Sequence, residues 1–210
     1  MLTVQPEVQY AAAMALLRPS SVLILHGWQN FRPPGHWQHV LADDLLAAGL
    51  DVRYPQLPDP DDPARALWSA LVEREIAGLT GPHRLVIAHS LATWVVLDLL
   101  VAAGGLDVER ILLAAPVTRE VLAANPPIAA FDPGLDDARI RSAVTSQGKV
   151  HLVCSDDDPY WPGGAAAWAG SLGASVHPLT GQGHLALSDG YGRWDSVRSW
   201  VLDGGQIGPR

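Results

Sequence analysis

The chain is predicted to fold as an α/β protein, with a mostly parallel central sheet of about six strands covered by helices on both faces in three layers. Three observations lead there. Short continuous apolar runs, such as Ser21-Val22-Leu23-Ile24-Leu25 and Arg110-Ile111-Leu112-Leu113-Ala114-Ala115, read as strands buried on both faces. These runs alternate along the chain with segments of helical periodicity. A hydrophobic content of 48% with 17% charged residues is that of a folded chain, and 210 residues suit one domain over 1–210.

The elements follow in order. Residues 1–19 are expected to form an arm or short helix on the domain. Their apolar stretch, Ala11 to Leu17, follows Glu7 and precedes Arg18-Pro19, which is not the pattern of a signal peptide. After the strand at Ser21–Leu25 comes a helix from about Gly35 to Ala48, then a short strand at Val52–Tyr54 towards an edge. Asp62 is expected to cap a helix whose first position is Pro63, with Leu67, Leu71 and Ile76 on its apolar face and Thr80-Gly81-Pro82 as its stop. His83 to Ala88 is the next strand. Leu91 to Ala103 is a helix apolar on nearly every side, hence central. Past the strand at Arg110–Ala115, residues 117–147 read as irregular, with room for a small flap and no large cap. Lys149 to Cys154 and Ala174 to Leu179 are strands, separated by a helix over Ala165–Leu172. A last helix is expected from Tyr191 to Leu202, with Trp194, Val197 and Val201 on one stripe.

The segment Ala88-His89-Ser90-Leu91-Ala92 carries the chemistry. A strand runs straight into a serine between small residues, and a helix follows at once, which is the form of a nucleophile elbow. The turn strains the serine backbone and lifts Oγ clear of the strand, so the positions two before and two after must be small. Ala stands at both, where the usual motif has Gly. A nucleophilic serine needs a base and a group to orient that base. Downstream, a strand ends in Ser155-Asp156-Asp157-Asp158-Pro159, and the last strand runs into Gly181-Gln182-Gly183-His184. Ser, acid and His thus occur in that order, each at the end of an expected strand. His184 is the candidate base, since imidazole both accepts and returns a proton near neutral pH. Among the adjacent carboxylates, Asp158 and Asp157 both remain candidates for the orienting acid.

His26-Gly27-Trp28, His36-Trp37, Ala88-His89-Ser90-Leu91-Ala92, Ser155 to Tyr160, Gly183-His184 and Gly190-Tyr191-Gly192-Arg193-Trp194 together resemble the retinoblastoma-binding protein 9 / YdeN-like family of small serine hydrolases. The resemblance spans about residues 21 to 200 and implies an α/β-hydrolase fold. In that family the carboxylate just before the proline is the acid, which maps onto Asp158. Ala92 departs from the family's usual Gly. The backbone N–H of Leu91, at a helix start, is expected to face a developing oxyanion, and by resemblance the N–H of Trp28 is the second donor. Gly27 is expected to supply unusual backbone angles to that loop.

Trp28 and Trp161, both at carboxyl ends of strands, are expected to wall the substrate; His26 reads as support for its loop, with substrate contact as the alternative. His89 reads as a packing group. His36 and His39 stand three apart without a third ligand at a useful spacing, so no metal is expected, and no cofactor. The sequence contains neither G-x-G-x-x-G nor G-x-x-x-x-G-K-[ST], which disfavours nucleotide chemistry. A net charge of −8 without a basic stripe disfavours nucleic acid and anionic membranes as partners. No apolar run is long enough to span a bilayer. The single cysteine, Cys154, falls in a buried strand, consistent with a cytoplasmic protein. The expectation is a serine hydrolase for a small acyl ester, thioester or amide. A non-catalytic protein-binding module and a lyase or C–C hydrolase on the same fold are the rival readings.

Overall fold

The computed structural model describes residues 21–210; the expected N-terminal arm, 1–19, lies outside the described residues. Six parallel strands form one sheet in the order β2-β1-β3-β4-β5-β6. They are β1 (Ser21–Leu25), β2 (Asp51–Arg53), β3 (Arg84–His89), β4 (Arg110–Ala114), β5 (Val150–Ser155) and β6 (Ser175–Leu179). The helices are α1 (Trp37–Ala47), α2 (Arg65–Ala77), α3 (Ala92–Ala103), α4 (Arg119–Ala124), α5 (Asp137–Gln147), α6 (Ala166–Ser171) and α7 (Asp195–Asp203).

Continuous apolar strands are explained by two cores. Successive side chains of a strand point to opposite faces. Leu23, Leu25, Val86 and Ala88 face one core, with α2, α3, α5 and α6 above it. Val22, Ile24, Leu85 and Ile87 face the other, with α1 and α7. A strand with only one apolar face would expose the other to a helix layer that has no polar partner for it.

Strand order places the site. The chain moves outward from β1 to β2, then returns to β3 on the other side of β1. Loops leaving β1 and β3 therefore diverge, and ligands bind in the crevice between them at the carboxyl ends of the strands. The register pairs Leu25 with Ala88 and His89 with Ala114, so these ends are level.

Three expected boundaries are corrected. Asp62 does not cap α2, which starts at Arg65 behind an extended Ala64. Residues 60–61 instead turn onto the loop after β1, where Pro60 and Asp61 carbonyls accept from Gln29 N–H and Trp28 Nε1–H. Residues 117–147 are not irregular: they hold α4, a 3₁₀ turn at Pro126–Phe131 and α5. Thr118 and Asp136 cap α4 and α5 by accepting from Val121 N–H and Arg139 N–H. The final helix starts at Asp195 and not Tyr191, because Trp194 is non-helical and its Nε1–H is drawn to the Gly208 carbonyl. None of the described helices is long and apolar enough to cross a membrane.

Candidate active site

Ser90 follows β3 directly and has φ +56°. Such a left-handed angle is rare for a residue with a Cβ and costs about 1–3 kcal/mol. The surroundings enforce it. Ser90 N–H donates to the Ala114 carbonyl at 2.9 Å, continuing the sheet. Its own carbonyl accepts from Thr93 N–H and from Thr93 Oγ1 at 2.7 Å, beginning the helix. Ala88 and Ala92 are both fully buried at the turn. Gly27, on the loop after β1, passes so close that an added Cβ would lie 2.7 Å from Ser90 Cβ. Its role is therefore this close approach, not the positive backbone angle expected from the sequence, since its φ is not in the left-handed region.

His184 lies on the loop after β6. Its Nε2 is 2.9 Å from Ser90 Oγ. Its Nδ1 is 2.9 and 3.0 Å from the two carboxylate oxygens of Asp158, on the loop after β5. Asp158 is 2% exposed, so its charge faces imidazole and not water. Tyr160 N–H donates to Asp158 Oδ1 as well. Asp157 does not reach the ring. It accepts from Ser155 Oγ and from Gly183 N–H, and these hold its carboxyl below the usual carboxylate range. Asp156 accepts from Gly181 N–H at 3.0 Å. Three consecutive carboxylates thus grip the His184 loop at three successive places. From the other side, Asp189 accepts from His184 N–H at 2.9 Å and Ala186 N–H at 3.0 Å.

Among the described residues, the N–H groups of Leu91 and Trp28 donate to no protein acceptor. Trp28 borders both cavities that open on Ser90. Two expected substrate contacts stand elsewhere. His26 is fully buried: Nδ1–H donates to the Gly27 carbonyl and Nε2 accepts from Leu57 N–H, tying the β1 loop to the β2 loop. Burial lowers its pKa to about 4. Trp161 packs on Trp168, with ring centroids 4.8 Å apart, and borders neither cavity. Its neighbour Tyr160 takes that place, its ring 4.5 Å from that of His184.

His89 donates from Nε2 to the His184 carbonyl at 2.9 Å, and burial holds it neutral, well below its ordinary pKa. His36 caps α1 by accepting from Gln38 N–H, whereas His39 bonds the Arg32 carbonyl, so the pair converges on no common point. Tyr160 and Asp189 are the site residues that sequence reasoning missed. Tyr160 is flagged only by its closeness to Asp158-Pro159, and Asp189 by nothing in the chain around it.

The family model described as serine hydrolase matches residues 22–202. The chain belongs to the serine hydrolase family. Solved structures with the same α/β-hydrolase fold include the ydeN gene product of B. subtilis, at 22% identity and a TM-score of 0.70, covering 87% of this chain and 96% of that one. A YdeN-like hydrolase from Pectobacterium atrosepticum is 16% identical, with a TM-score of 0.67 and coverage of 93% and 95%. Carboxylesterase CesB from Bacillus subtilis is 14% identical, with a TM-score of 0.54 and coverage of 90% and 85%. No curated protein matches the chain.

Proposed function

We propose that this serine hydrolase cleaves a small carboxylic ester, thioester or amide through an acyl-enzyme, with Ser90 as nucleophile, His184 as base and Asp158 as the group that orients it. The reading is carried by one observation: an unbroken line from Ser90 Oγ through both nitrogens of His184 to a buried Asp158 carboxylate, each step 2.9–3.0 Å.

In the first half-reaction, Ser90 Oγ attacks the acyl carbon while its proton passes to His184 Nε2. The carbonyl electrons move onto oxygen, which the Leu91 and Trp28 N–H groups face. Loss of one such donor typically costs ~3 kcal/mol of transition-state stabilisation. The carbonyl re-forms as the bond to the leaving atom breaks, and His184 returns the proton to that atom. In the second half, water attacks the acyl carbon, again giving its proton to His184; the bond to Ser90 Oγ then breaks, His184 returns the proton to Oγ, and the free acid departs. Asp158 keeps Nδ1 protonated and stabilises the imidazolium formed in each half. The partner in this reading is a small acyl substrate.

Intact-mass analysis after fluorophosphonate treatment tests it. A single adduct is expected on the native protein, none on Ser90→Ala, and a rate lowered about 10³-fold or more on His184→Ala. Ser90→Ala is expected to melt within a few degrees of the native protein. An adduct retained by Ser90→Ala, or no adduct on folded native protein, defeats the proposal; in the second case the protein-binding reading takes its place.

A further inference from the structure

Two cavities open on Ser90, and they differ in kind. The larger, about 520 Å³, is bounded by Asn30, His36, Leu187, Ser188 and Asp189 among others. The smaller, about 70 Å³, is bounded by Leu91, Val117, Val121 and Ile128. Ser90, Trp28, Gln29, Tyr160 and His184 border both.

Proton transfer decides which half of a substrate goes where. The leaving atom must lie within hydrogen-bond reach of the imidazole that protonates it. The residues that follow His184, from Ala186 to Asp189, wall only the larger cavity. The leaving group belongs there, among side chains of mixed polarity. The acyl chain then points the opposite way, past Leu91 and into the small apolar cavity.

Resting on the hydrolase reading above, we infer that the protein selects short, unbranched acyl groups carried on a larger leaving group, and that Val121 sets the acyl length. At about 70 Å³ against about 520 Å³, the small cavity is the tighter of the two and suits short chains. Acetyl and propionyl fit; longer chains meet Val121 on α4 and Ile128 on the 3₁₀ turn. On the far side of α4's Val121 lies a third cavity, about 570 Å³, bounded by Thr118, Glu120, Ala124 and Asn125. Val121 and Tyr160 border this space as well as the small cavity. The half-buried Val121 side chain is thus a partition between a small space and a much larger one.

The test is kcat/KM on 4-nitrophenyl esters from acetate to decanoate, with the fluorophosphonate adduct measured alongside. The native enzyme is expected to peak at acetate or propionate and to lose about tenfold or more by hexanoate, since one methylene at a pocket wall is worth about 10- to 200-fold. Val121→Ala keeps a good helix former in α4 and is expected to move the peak to hexanoate or octanoate. Val121→Phe is expected to confine activity to acetate. Acetates of larger aryl alcohols should be cleaved within about tenfold of 4-nitrophenyl acetate. A native profile that is flat or rises with chain length overturns the inference and leaves the hydrolase reading standing. So does a Val121→Ala enzyme, folded and labelled at Ser90, whose profile is unmoved. The native profile decides alone if the variants do not fold. Absence of both adduct and turnover overturns the two readings together.

Discussion

The proposed nucleophile and its base are held in place by opposite means. Ser90 is positioned by exclusion: Gly27, Ala88 and Ala92 leave room for one backbone path, and sheet and helix bonds begin on either side of the strained residue. His184 is positioned by attraction: Asp156, Asp157 and Asp189 accept backbone N–H bonds from residues 181, 183, 184 and 186. Steric positioning fails abruptly, since packed atoms do not overlap by degrees. Hydrogen-bonded positioning is spread over several contacts and fails in parts.

That contrast can be broken or sharpened by mutation and by acid. The largest effect is expected from Gly27→Ala. Its Cβ would lie 2.7 Å from Ser90 Cβ and 3.1 Å from Oγ, so the serine must shift. A displacement on the order of 1 Å costs about 100-fold in kcat/KM, and circular dichroism should show the fold intact. Activity near native in Gly27→Ala would remove sterics as the device. Asp189→Ala comes next. It deletes the acceptor for two N–H groups beside the base, and kcat should fall about tenfold, equivalent to one charge-assisted bond of ~1.4 kcal/mol. A drop as steep as that of Gly27→Ala would show that the base loop is no more redundant than the elbow.

Acid should loosen the two sides in sequence. His26 is neutral when folded, with a pKa lowered by burial to about 4, whereas the unfolded chain takes up its proton near 6.5. The unfolded state therefore binds more protons between these values, and stability falls as pH drops through that window, by about 2 kcal/mol at pH 5 from this residue alone. His36, lowered to about 4 by burial, acts in the same direction. Asp157 has the same sign of linkage in a lower window: its carboxyl is lowered, so its contribution is intact at pH 5 and is lost only as pH falls into and below the usual carboxylate range. Urea melts at pH 7 and pH 5 should differ accordingly. Hydrogen exchange at pH 5, corrected for intrinsic rates, should rise around residues 26–30 and 56–58 before 181–186. The reverse order would refute the assignment. The smallest effect is expected from Ala92→Gly. Because Ala92 already fits, the change should leave kcat/KM within about threefold while costing up to ~1 kcal/mol of helix propensity at the start of α3. A large gain in rate would mean that Ala92 restrains the elbow.

Strands and their order were legible because double-sided burial writes itself as continuous apolar runs. That Ser90, Asp158 and His184 meet in space was legible because each follows such a run. Other parts were not. Which of Tyr160 and Trp161 faces the cavity depends on the turn around Pro159, and turns have no period to read. His26 lies beside the site in sequence yet faces the β2 loop, and only the path of Leu57 in space reveals this. Residues 117–147 look irregular because α4 and the 3₁₀ turn are too short to show a helical repeat; the Thr118 and Asp136 caps were the available signals. Asp189 acts on a residue five positions earlier through its backbone, which leaves no mark in side-chain pattern.

The three carboxylates after β5 have a consequence for how this protein can vary. Asp156 N–H still bonds the Leu179 carbonyl, and from there side chains take over from backbone, with Asp156 on Gly181, Asp157 on Gly183 and Asp158 on His184. The two loops are zipped tooth by tooth beyond the end of the sheet. A zip of this kind accepts a changed tooth more readily than an added one. Inserting a single residue between Asp156 and Asp158, or between Gly181 and His184, would put every later pair out of step and turn the imidazole away from its serine. Descendants of this chain are therefore free to drift in composition along these loops outside Asp158 and His184, while their length is bound to the proposed chemistry.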